Sequence, residues 1–578
     1  MLRRVFAGLA LALGAMGVSR QTAPPTFDLL LTGGIVIDGS GAPGTVADVG
    51  IRDGVIVAVG PPAGASALRV IDVRGRIVAP GFIDLHSHAD DVAPGAGLRH
   101  ADPRRRAAPN LVMQGITTVV VNQDGRSPWP IARQRRQMEE DGIGPNAVLL
   151  AGHGTIRRLV MGADVRRPAT PEEITAMARL VRQALDEGAA GLSAGLEYDP
   201  GRWSTTDELV ALVAALAPRG GVYIAHQRSE GTDPMWFWPS QDTAGAPTLL
   251  DAVRETIAIG ERTGVPVVAS HLKARGTDAR GMGRAAIDLI EQARARGVPV
   301  WGDQYPYTTS GTDGHTVLLP DWVLDATLGT PHPTGRPPAD YAARLRAALA
   351  HPATAARLRQ DTAHEIRRRG GAGRIVVLEH PRPDFVGRTL ADLAAARGTS
   401  PVDMAFALQI EGDPARRGGG RLRGFSMDEA DVATLAARPW IATVTDGGIA
   451  LPDDPPVHPR LYGAFPRKIA RYARDQGLLS VPAAIRSATA LPAQILGLRD
   501  RGLVREGYRA DLVVLDLDRL ADRATVFAPH RYAAGVDYVF VGGTAVVEQG
   551  VPTYARPGRV LVPAGRPPPA DLDAGDDR

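Results

Sequence analysis

PGFIDLHSHADD, residues 80–91, joins a short apolar run to two histidines that stand two residues apart. Side chains at this spacing in an extended strand point to the same face, so His86 and His88 can both reach one ion beyond the strand. A histidine pair of this kind occurs often by chance. It predicts a metal site only when other strands of the chain end in the same way.

Three further apolar runs end in a side chain of the metal-binding type. His226 ends VYIAH, His271 ends VVASH and Asp446 ends ATVTD. Each residue opens a polar loop, and in a parallel barrel the loops after the strands share one mouth. Packing does not explain such an arrangement, because burying several unpaired polar groups is costly. We predict one metal site built from His86, His88, His226, His271 and Asp446.

The chemistry of this residue set narrows the choice of metal. Imidazole and carboxylate ligands suit zinc, and manganese or iron accept the same donors. The chain contains no cysteine, so no thiolate narrows the choice further. We predict zinc.

The order of apolar runs predicts an α/β fold. Buried runs of four to eight residues alternate with amphipathic stretches between residues 80 and 496, a pattern typical of βα units with a parallel sheet. The candidate strands are FIDLH, TTVVV, AVLLAGH, AGLSAGLE, VYIAH, PVVASH, VPVWGD and IATVTD. Eight strands predict a (β/α)8 TIM-like barrel, although RIVVLEH competes with VPVWGD for one place. A doubly wound open sheet is the alternative.

The two ends of the chain have a different texture. Residues 26–79 and 497–562 contain short alternating strands with Gly and Asp turns, which predicts a small β-sandwich domain formed from both chain ends. Residues 563–578 are rich in Pro, Ala and Asp and read as a flexible tail. A loop at 232–248 holds two tryptophans and a phenylalanine that either line a pocket or pack locally.

The first 25 residues, MLRRVFAGLALALGAMGVSRQTAPP, have the layout of a secretory signal peptide. Two arginines precede an apolar run, and small and polar residues follow it. We therefore predict an exported protein, periplasmic or secreted. The apolar run is too short for a comfortable membrane span, so no span is expected in the mature protein.

Composition argues against two classes of partner. The 578 residues carry a formal net charge of +3, with basic and acidic residues interspersed along the chain. This pattern indicates neither a nucleic-acid surface nor a membrane-surface patch. The expected partner is a small-molecule substrate, and nothing in the sequence fixes the oligomeric state.

A series of motifs carries a family resemblance over most of the chain. PGFIDLHSHADD, GITTVVVNQ, AGHGTIR, GLEYDPG, AHQRSEG, SHLKARG, DQYPYT, TDGG and HPRLYGAFPR occur in that order. The chain thus resembles the D-aminoacylase (N-acyl-D-amino-acid deacylase) group of the metal-dependent amidohydrolase superfamily. The resemblance implies a (β/α)8 barrel with a small β-domain. It also implies that Asp446 is both a metal ligand and the general base.

One departure from the group concerns the metal bridge. Many members place a bridging cysteine after the TTVVV strand, where this chain has Asn122, Gln123 and Asp124. Glu197 closes AGLSAGLE on the fourth strand, and a carboxylate with two oxygens can hold two divalent ions together. We predict two zinc ions bridged by Glu197. Bridging by Asp124 and an unbridged site with one ion are the alternatives.

Other polar residues are expected to face the substrate. Lys273 is one of only two lysines in the chain and follows His271 by two residues, so we expect it to bind the substrate carboxylate. The resemblance implies that Arg460 contacts the same carboxylate and that Tyr307 contacts the scissile carbonyl. A structural salt bridge and simple packing are the respective alternatives. His153 is predicted to touch the substrate or to orient a ligand.

These features together predict zinc-dependent hydrolysis of the amide bond of N-acyl-D-amino acids. The D configuration comes from the resemblance alone. Another amidohydrolase, acting on cyclic amides or dipeptides, shares the metal set and is the main alternative. A non-catalytic binding protein on the same barrel is the alternative from another class.

Overall fold

The computed structural model describes residues 26–60, 65–90, 92–93, 95–311, 315–324 and 340–563. The predicted signal peptide and nearly all of the predicted C-terminal tail lie outside these residues. Export therefore remains a prediction. Within the described part of the chain, the helices are all too short or too polar to cross a bilayer.

Each of the eight runs predicted from the sequence contains a strand, and the chain is an α/β protein. The strands are Phe82–Asp84, Ile116–Val121, Asn146–Leu149 continued by Ala151–Gly152, Gly191–Gly195, Val222–His226, Val267–Ala269, Val300–Gln304 and Ile441–Thr443. Neighbouring strands pair in parallel, in one three-stranded and one six-stranded sheet. Their side chains are buried throughout, as expected for a parallel sheet covered on both faces.

The competition between the two candidate runs is resolved by the pairing of the strands. Val300–Gln304 lies between Val267–Ala269 and Ile441–Thr443 in the parallel sheet. Ile375–Glu379, from RIVVLEH, instead pairs antiparallel with Arg421–Gly424 in a separate two-stranded sheet. Of the two candidates, VPVWGD therefore supplies the strand of the parallel sheet.

Helices follow most of the parallel strands and begin at capping residues. Thr170 and Thr248 form capping boxes with Glu173 and Asp251, which satisfy backbone N–H groups at the first turns. The α-helices are Pro103–Arg106, Pro109–Val112, Ile131–Asp141, His153–Met161, Pro171–Asp186, Thr206–Ala214, Leu249–Thr263, Met282–Ala295, Asp321–Leu324, Tyr341–Leu349, Pro352–Arg368, Leu390–Ala396, Pro401–Ile410, Glu429–Ala436, Arg460–Arg467, Val481–Ala488 and Ala490–Leu496. A π-helix, Lys468–Asp475, continues Arg460–Arg467.

Strands from both chain ends form one nine-stranded sheet. Its members are Thr26–Val36, Thr45–Arg52, Val55–Val59, Ser66–Asp72, Ile77–Pro80, Leu512–Leu515, Val536–Val541, Thr544–Glu548 and Val551–Pro552. The two ends meet where Ile77–Pro80 pairs antiparallel with Leu512–Leu515. The association of the two chain ends agrees with expectation, whereas a sandwich of two packed sheets is not confirmed.

The aromatic loop at 232–248 contacts a group of helices inserted between the last two parallel strands. Ser240 donates from its backbone and its hydroxyl to Asp361, 2.9 and 2.6 Å away, and the Trp322 indole donates to the same carboxylate. Trp238 lies under the Arg368 guanidinium at 5.1 Å. Met235 is the loop residue that lines the central cavity. The loop thus packs locally and reaches the cavity through Met235, while its two tryptophans and its phenylalanine are not among the described residues that line the cavity.

Candidate metal centre and active site

The predicted ligands come together because each one lies at or just beyond the carboxyl end of a parallel strand. His226 is the last residue of Val222–His226, and His271 follows Val267–Ala269 by two residues. A cavity of about 1080 Å³ opens at this end of the sheet. Its lining includes His88, Asp124, His226, His271 and Asp446.

The carboxylate of Asp124 lies at the middle of the cluster. Its Oδ1 is 3.6 Å from His86 Nε2 and 3.8 Å from both His226 Nδ1 and His271 Nε2. Its Oδ2 is 3.5 Å from His88 Nε2. Zinc binds nitrogen and oxygen at about 2.0–2.2 Å, which sets two ligands of one tetrahedral ion roughly 3.3 Å apart. The observed spacings therefore match ligands that share an ion.

Asp446 completes one side of the cluster. Its Oδ1 is 3.1 Å from His88 Nε2 and 3.6 Å from His86 Nε2. His86, His88 and Asp446 each offer a ligand atom within 4.8 Å of the others, and so do His86, Asp124 and His271. A third group joins His226 and His271 with Glu230. The ligand atoms thus form overlapping groups, with His226 and His271 on one side of Asp124 and His88 and Asp446 on the other.

Two of these atoms lack the partners that buried polar atoms normally have. His86 Nε2 and Asp124 Oδ1 are both buried and find no hydrogen-bond partner among the described residues. Buried polar atoms without partners are uncommon in native proteins and call for a specific explanation. Coordination of a cation between them supplies it, so the residues present fit a metal centre.

Backbone strain is concentrated at the same place. Asp124, His271 and Asp446 adopt left-handed conformations with φ of 56°, 35° and 47°, and Asn122 has a φ of 68°. Such values cost energy for residues other than glycine and persist where the surroundings impose them, often at functional sites. Asn122 is held by hydrogen bonds from its side chain to Gln134 and to the backbone of Leu150.

The electrostatics of the cluster favour the ligand forms of Asp124, Asp446 and His86. Burial raises the pKa of Asp124, but the nearby His271 and the charges of the other histidines outweigh burial and leave that pKa below its usual range. Burial likewise opposes ionisation of Asp446, yet the Arg460 guanidinium holds its pKa well below the ordinary value. Burial lowers the pKa of His86. Zinc binds ionised carboxylates and neutral imidazoles, so Asp124, Asp446 and His86 are in the forms that bind zinc. Burial lowers the pKa of His88 and of His271, but the neighbouring carboxylates outweigh burial, so that the pKa of His88 is raised and that of His271 is raised to about 10; a metal must displace these protons.

Two buried aspartates brace the backbone beside the ligands. Asp303 accepts from the His271 backbone N–H at 2.5 Å and from the Ser270 hydroxyl, which in turn contacts His86 Nδ1 at 2.5 Å. Asp84 accepts from the Thr445 backbone at 3.0 Å. Burial raises the pKa of Asp84 to about 7 and that of Asp303 to about 6. These residues were not singled out from the sequence, although Asp84 lies two residues before His86.

Glu197 is not at the position shared by the ligand groups, which Asp124 occupies, so the geometry does not support the predicted bridge and favours the Asp124 alternative. The Glu197 Oε2 accepts from His226 Nε2 at 3.0 Å, on the side of that ring opposite Asp124. Its Oε1 accepts from Arg275 at 3.0 Å and from the Met235 backbone at 2.6 Å. Glu197 is not among the described residues that line the cavity.

Lys273 and Arg460 lie in the cavity as predicted, but each has an acidic neighbour. The Lys273 ammonium contacts the Glu230 carboxylate and lies 2.9 Å from His271 Nδ1. Arg460 lies 2.9 Å from Asp446 Oδ2 and stacks over the Tyr305 ring at 4.3 Å. Glu230 was not recognised from the sequence, although it lies four residues after His226 in AHQRSEG.

Tyr307 does not face the cavity, and the prediction that it touches the substrate carbonyl is wrong. Its hydroxyl donates to Asp522 at 2.8 Å, and Arg467 lies over its ring. Tyr305, two residues earlier, lines the cavity instead, and its buried hydroxyl has no partner among the described residues. Both tyrosines occur in DQYPYT, so the motif alone does not distinguish them.

His153 is also displaced from its predicted place. Its Nε2 lies 2.8 Å from Glu208, which also binds the Arg157 guanidinium, and all three side chains are fully buried. His153 is outside the cavity lining within the described residues, whereas its neighbours Gly154 and Thr155 belong to that lining. The predicted contact with substrate is therefore corrected to an internal contact.

Comparison with known proteins agrees with this geometry. The sequence profile of the amidohydrolase family matches residues 69–547. The chain belongs to that family. Among amidohydrolases it is similar to D-aminoacylase from Alcaligenes xylosoxydans xylosoxydans, with 35% identity over 94% of this chain and 99% of that protein.

Solved amidohydrolase structures are similar over the same extent. N-acyl-D-glutamate deacylase from Bordetella bronchiseptica, complexed with zinc and a phosphonate mimic of the tetrahedral intermediate, has a TM-score of 0.70. It is 31% identical and covers 93% of this chain and 100% of its own. A D-aminoacylase structure concerned with the role of a binuclear metal centre has a TM-score of 0.68 at 34% identity. The match covers 93% of this chain and 99% of that one.

Proposed function

We propose that this amidohydrolase hydrolyses the amide bond of N-acyl-D-amino acids, releasing a carboxylate and a free D-amino acid, with zinc as its cofactor. The observation that carries the proposal is the convergence of four histidines and Asp446 around Asp124 in one cavity. Similarity to D-aminoacylase over nearly the whole chain supports the choice of substrate.

The metal would be held by two sets of residues that share Asp124. His86, His88 and Asp446 would hold one ion, and His226 with His271 would hold the other. When bound, zinc supplies Lewis acidity and lowers the pKa of water toward neutrality. The protein supplies the proton acceptor, the hydrogen-bond donors and the fixed position of the substrate.

Asp446 is the proton acceptor in this proposal. Arg460 keeps its pKa well below the ordinary value, so the carboxylate is ionised at neutral pH. Asp446 takes the proton of the attacking water and passes it to the departing amine, which completes hydrolysis without any other base.

Tyr305 is the donor to the substrate carbonyl. Its hydroxyl lacks a partner, and the Arg460 guanidinium and the Lys273 ammonium lie over its ring at 4.3 and 5.3 Å. A donor placed in advance stabilises the negative charge that develops on the carbonyl oxygen. Lys273 and Arg460, both lining the cavity, attract the carboxylate of the amino-acid portion and fix which face of the carbonyl is attacked.

We infer in addition that the eight parallel strands close into a (β/α)8 barrel. Support comes from the join between the first and last strands, where Gly447 and Gly448 pair in parallel with Ser87 and His88. The Asp446 backbone N–H also donates to the His86 carbonyl at 2.9 Å. We also propose export, on the basis of the leader at residues 1–25, which lies outside the described residues.

The substrate proposal is tested by activity on a panel of compounds. We expect hydrolysis of N-acetyl-D-amino acids, loss of activity after treatment with a chelator, and recovery on addition of zinc. Preferred hydrolysis of hydantoins or of isoaspartyl dipeptides would contradict the substrate class. Binding of N-acetyl-D-amino acids without turnover by the zinc-loaded protein would favour the binding-protein alternative.

The two tyrosines of DQYPYT provide a matched pair of variants. We expect Tyr305→Phe to lower kcat by about 10²-fold, the scale observed when one donor to a developing oxyanion is removed. Tyr307→Phe removes only the bond to Asp522, so kcat should stay near that of the wild type while the thermal midpoint falls. Steady-state kinetics with both variants make the comparison, and a larger loss of kcat for Tyr307→Phe would refute the assignment.

A further inference from the structure

We propose that Glu197 and Glu230 are positioning residues that set which ring nitrogen of His226 and of His271 is presented to the metal centre. The inference rests on the proposed metal-dependent function and concerns residues that act through the ligands. Glu197 Oε2 is 3.0 Å from His226 Nε2, and Glu230 Oε1 is 3.2 Å from His271 Nδ1. Each carboxylate thus lies at one nitrogen of its histidine.

The opposite nitrogens of the two rings face inward. His226 Nδ1 and His271 Nε2 lie 2.9 Å apart, and each is 3.8 Å from Asp124 Oδ1. A neutral imidazole has one N–H donor and one lone pair, and only the lone pair binds a metal. A carboxylate on the outer nitrogen holds the proton there and leaves the inner nitrogen free to bind. The two histidines use different nitrogens, and their carboxylates are placed accordingly.

Lys273 lies beside the same ring nitrogen of His271 as Glu230 does. The Lys273 Nζ lies 2.9 Å from His271 Nδ1, and an ammonium group can only donate. If it donated to Nδ1, the ring proton would move to Nε2 and block the metal-binding lone pair. The Glu230 carboxylate contacts the ammonium and lies 3.2 Å from Nδ1, slightly farther than the ammonium does, so it competes with Lys273 for that nitrogen.

The burial of the charged side chains around Glu197 and Glu230 also favours a functional role. Glu197, Glu230, Lys273 and Arg275 have side-chain exposures of 0, 5, 6 and 2%. Arg275 joins the two carboxylates, 3.0 Å from Glu197 and 3.3 Å from Glu230, so two acidic and two basic side chains are buried together. Buried charge networks of this kind seldom stabilise a fold more than apolar side chains of the same volume would. Their presence beside two ligands therefore points to positioning.

The chain offers a matched control in Glu208. This carboxylate is fully buried, contacts His153 Nε2 at 2.8 Å and binds the Arg157 guanidinium, as Glu197 contacts His226 and Arg275. His153 contributes no atom to the ligand groups found among the described residues. Removing the charge of Glu208 therefore reproduces the structural disturbance without touching a ligand.

The test measures zinc retained per chain during dialysis against a graded competing chelator, together with the thermal midpoint. Glu197→Gln and Glu230→Gln should each weaken the retention of one ion by about 10- to 100-fold, the range for residues that orient ligands. Glu208→Gln should retain zinc like the wild type even where its thermal midpoint falls. Adding Lys273→Met to Glu230→Gln should recover part of the affinity, because the competing donor is removed.

The zinc measurements separate the positioning role from the proposed function. Wild-type retention in both Glu197→Gln and Glu230→Gln, or an equal loss in Glu208→Gln, would overturn the positioning role while leaving the proposed function intact. A wild-type protein that holds no zinc would overturn the proposed function itself. If Glu197→Gln does not fold, Glu230→Gln and its double variant with Lys273→Met decide the inference on their own.

Discussion

Replacing Asp446 by asparagine should lower kcat/KM for N-acetyl-D-amino acids by about 10³-fold or more, within the range for removal of a general base that is also a ligand. The amide keeps the shape of the side chain but can neither take a proton nor bind a cation strongly. Asparagine also tolerates the left-handed backbone at this position, where φ is 47°, so the variant should fold.

Asp511→Asn is the control for Asp446→Asn. Asp511 is another buried aspartate held by an arginine, with Arg501 at 2.9 Å just as Arg460 lies at 2.9 Å from Asp446. It lies in the β-rich part of the chain, against Asn146 and Gly542. Asp511→Asn should lower stability and leave kcat/KM almost unchanged. Retention of more than about a tenth of the activity by Asp446→Asn would contradict the assigned proton acceptor.

Replacing Asp124 by asparagine should reduce the zinc content from two ions per chain to at most one, with a large loss of activity. Asp124 Oδ1 is shared by His86, His226 and His271, so neutralising it weakens both groups of ligands. Asparagine again suits the left-handed backbone, where φ is 56°, which separates loss of charge from backbone strain. Metal analysis of the purified variant, with its thermal midpoint, provides the measurement.

Replacing Asp124 by cysteine should preserve the zinc content that Asp124→Asn loses. A thiolate is a strong zinc ligand and can replace the carboxylate as a shared donor. We expect this variant to hold two ions, as the wild type does. Two ions retained in Asp124→Asn, or a loss of zinc from Asp124→Cys that is as large as in Asp124→Asn, would show that Asp124 is not the bridge.

The sequence predicted the ligand set because strand ends are readable from apolar runs. His226 and Asp446 each follow a run of buried residues, and parallel strands bring their carboxyl ends to one edge. The same rule could not choose between Glu197 and Asp124, since both follow strands. The choice depends on the left-handed backbone at Asp124, which turns its carboxylate inward, and a run of residues does not reveal a backbone angle.

The substrate-facing residues were harder to predict for a similar reason. Tyr305 and Tyr307 flank Pro306 after one strand, and their directions depend on contacts from distant residues such as Asp522. His153 begins the helix His153–Met161, and Glu208 of the helix Thr206–Ala214 contacts its ring. Glu230 has no signal in the sequence beyond its place four residues after His226, and Asp303 has only its place at the end of the VPVWGD run. Their contacts with the ligands arise only when separate strands meet.

The central claim is that Asp124 lies between two zinc ions, one held with His86, His88 and Asp446 and the other with His226 and His271. Anomalous diffraction at the zinc absorption edge, from crystals of the zinc-loaded protein, measures this directly. We expect two peaks, each about 2.0–2.2 Å from an oxygen of the Asp124 carboxylate. Two peaks that contact Glu197 in place of Asp124, or no peak within reach of the four histidines, would contradict the claim.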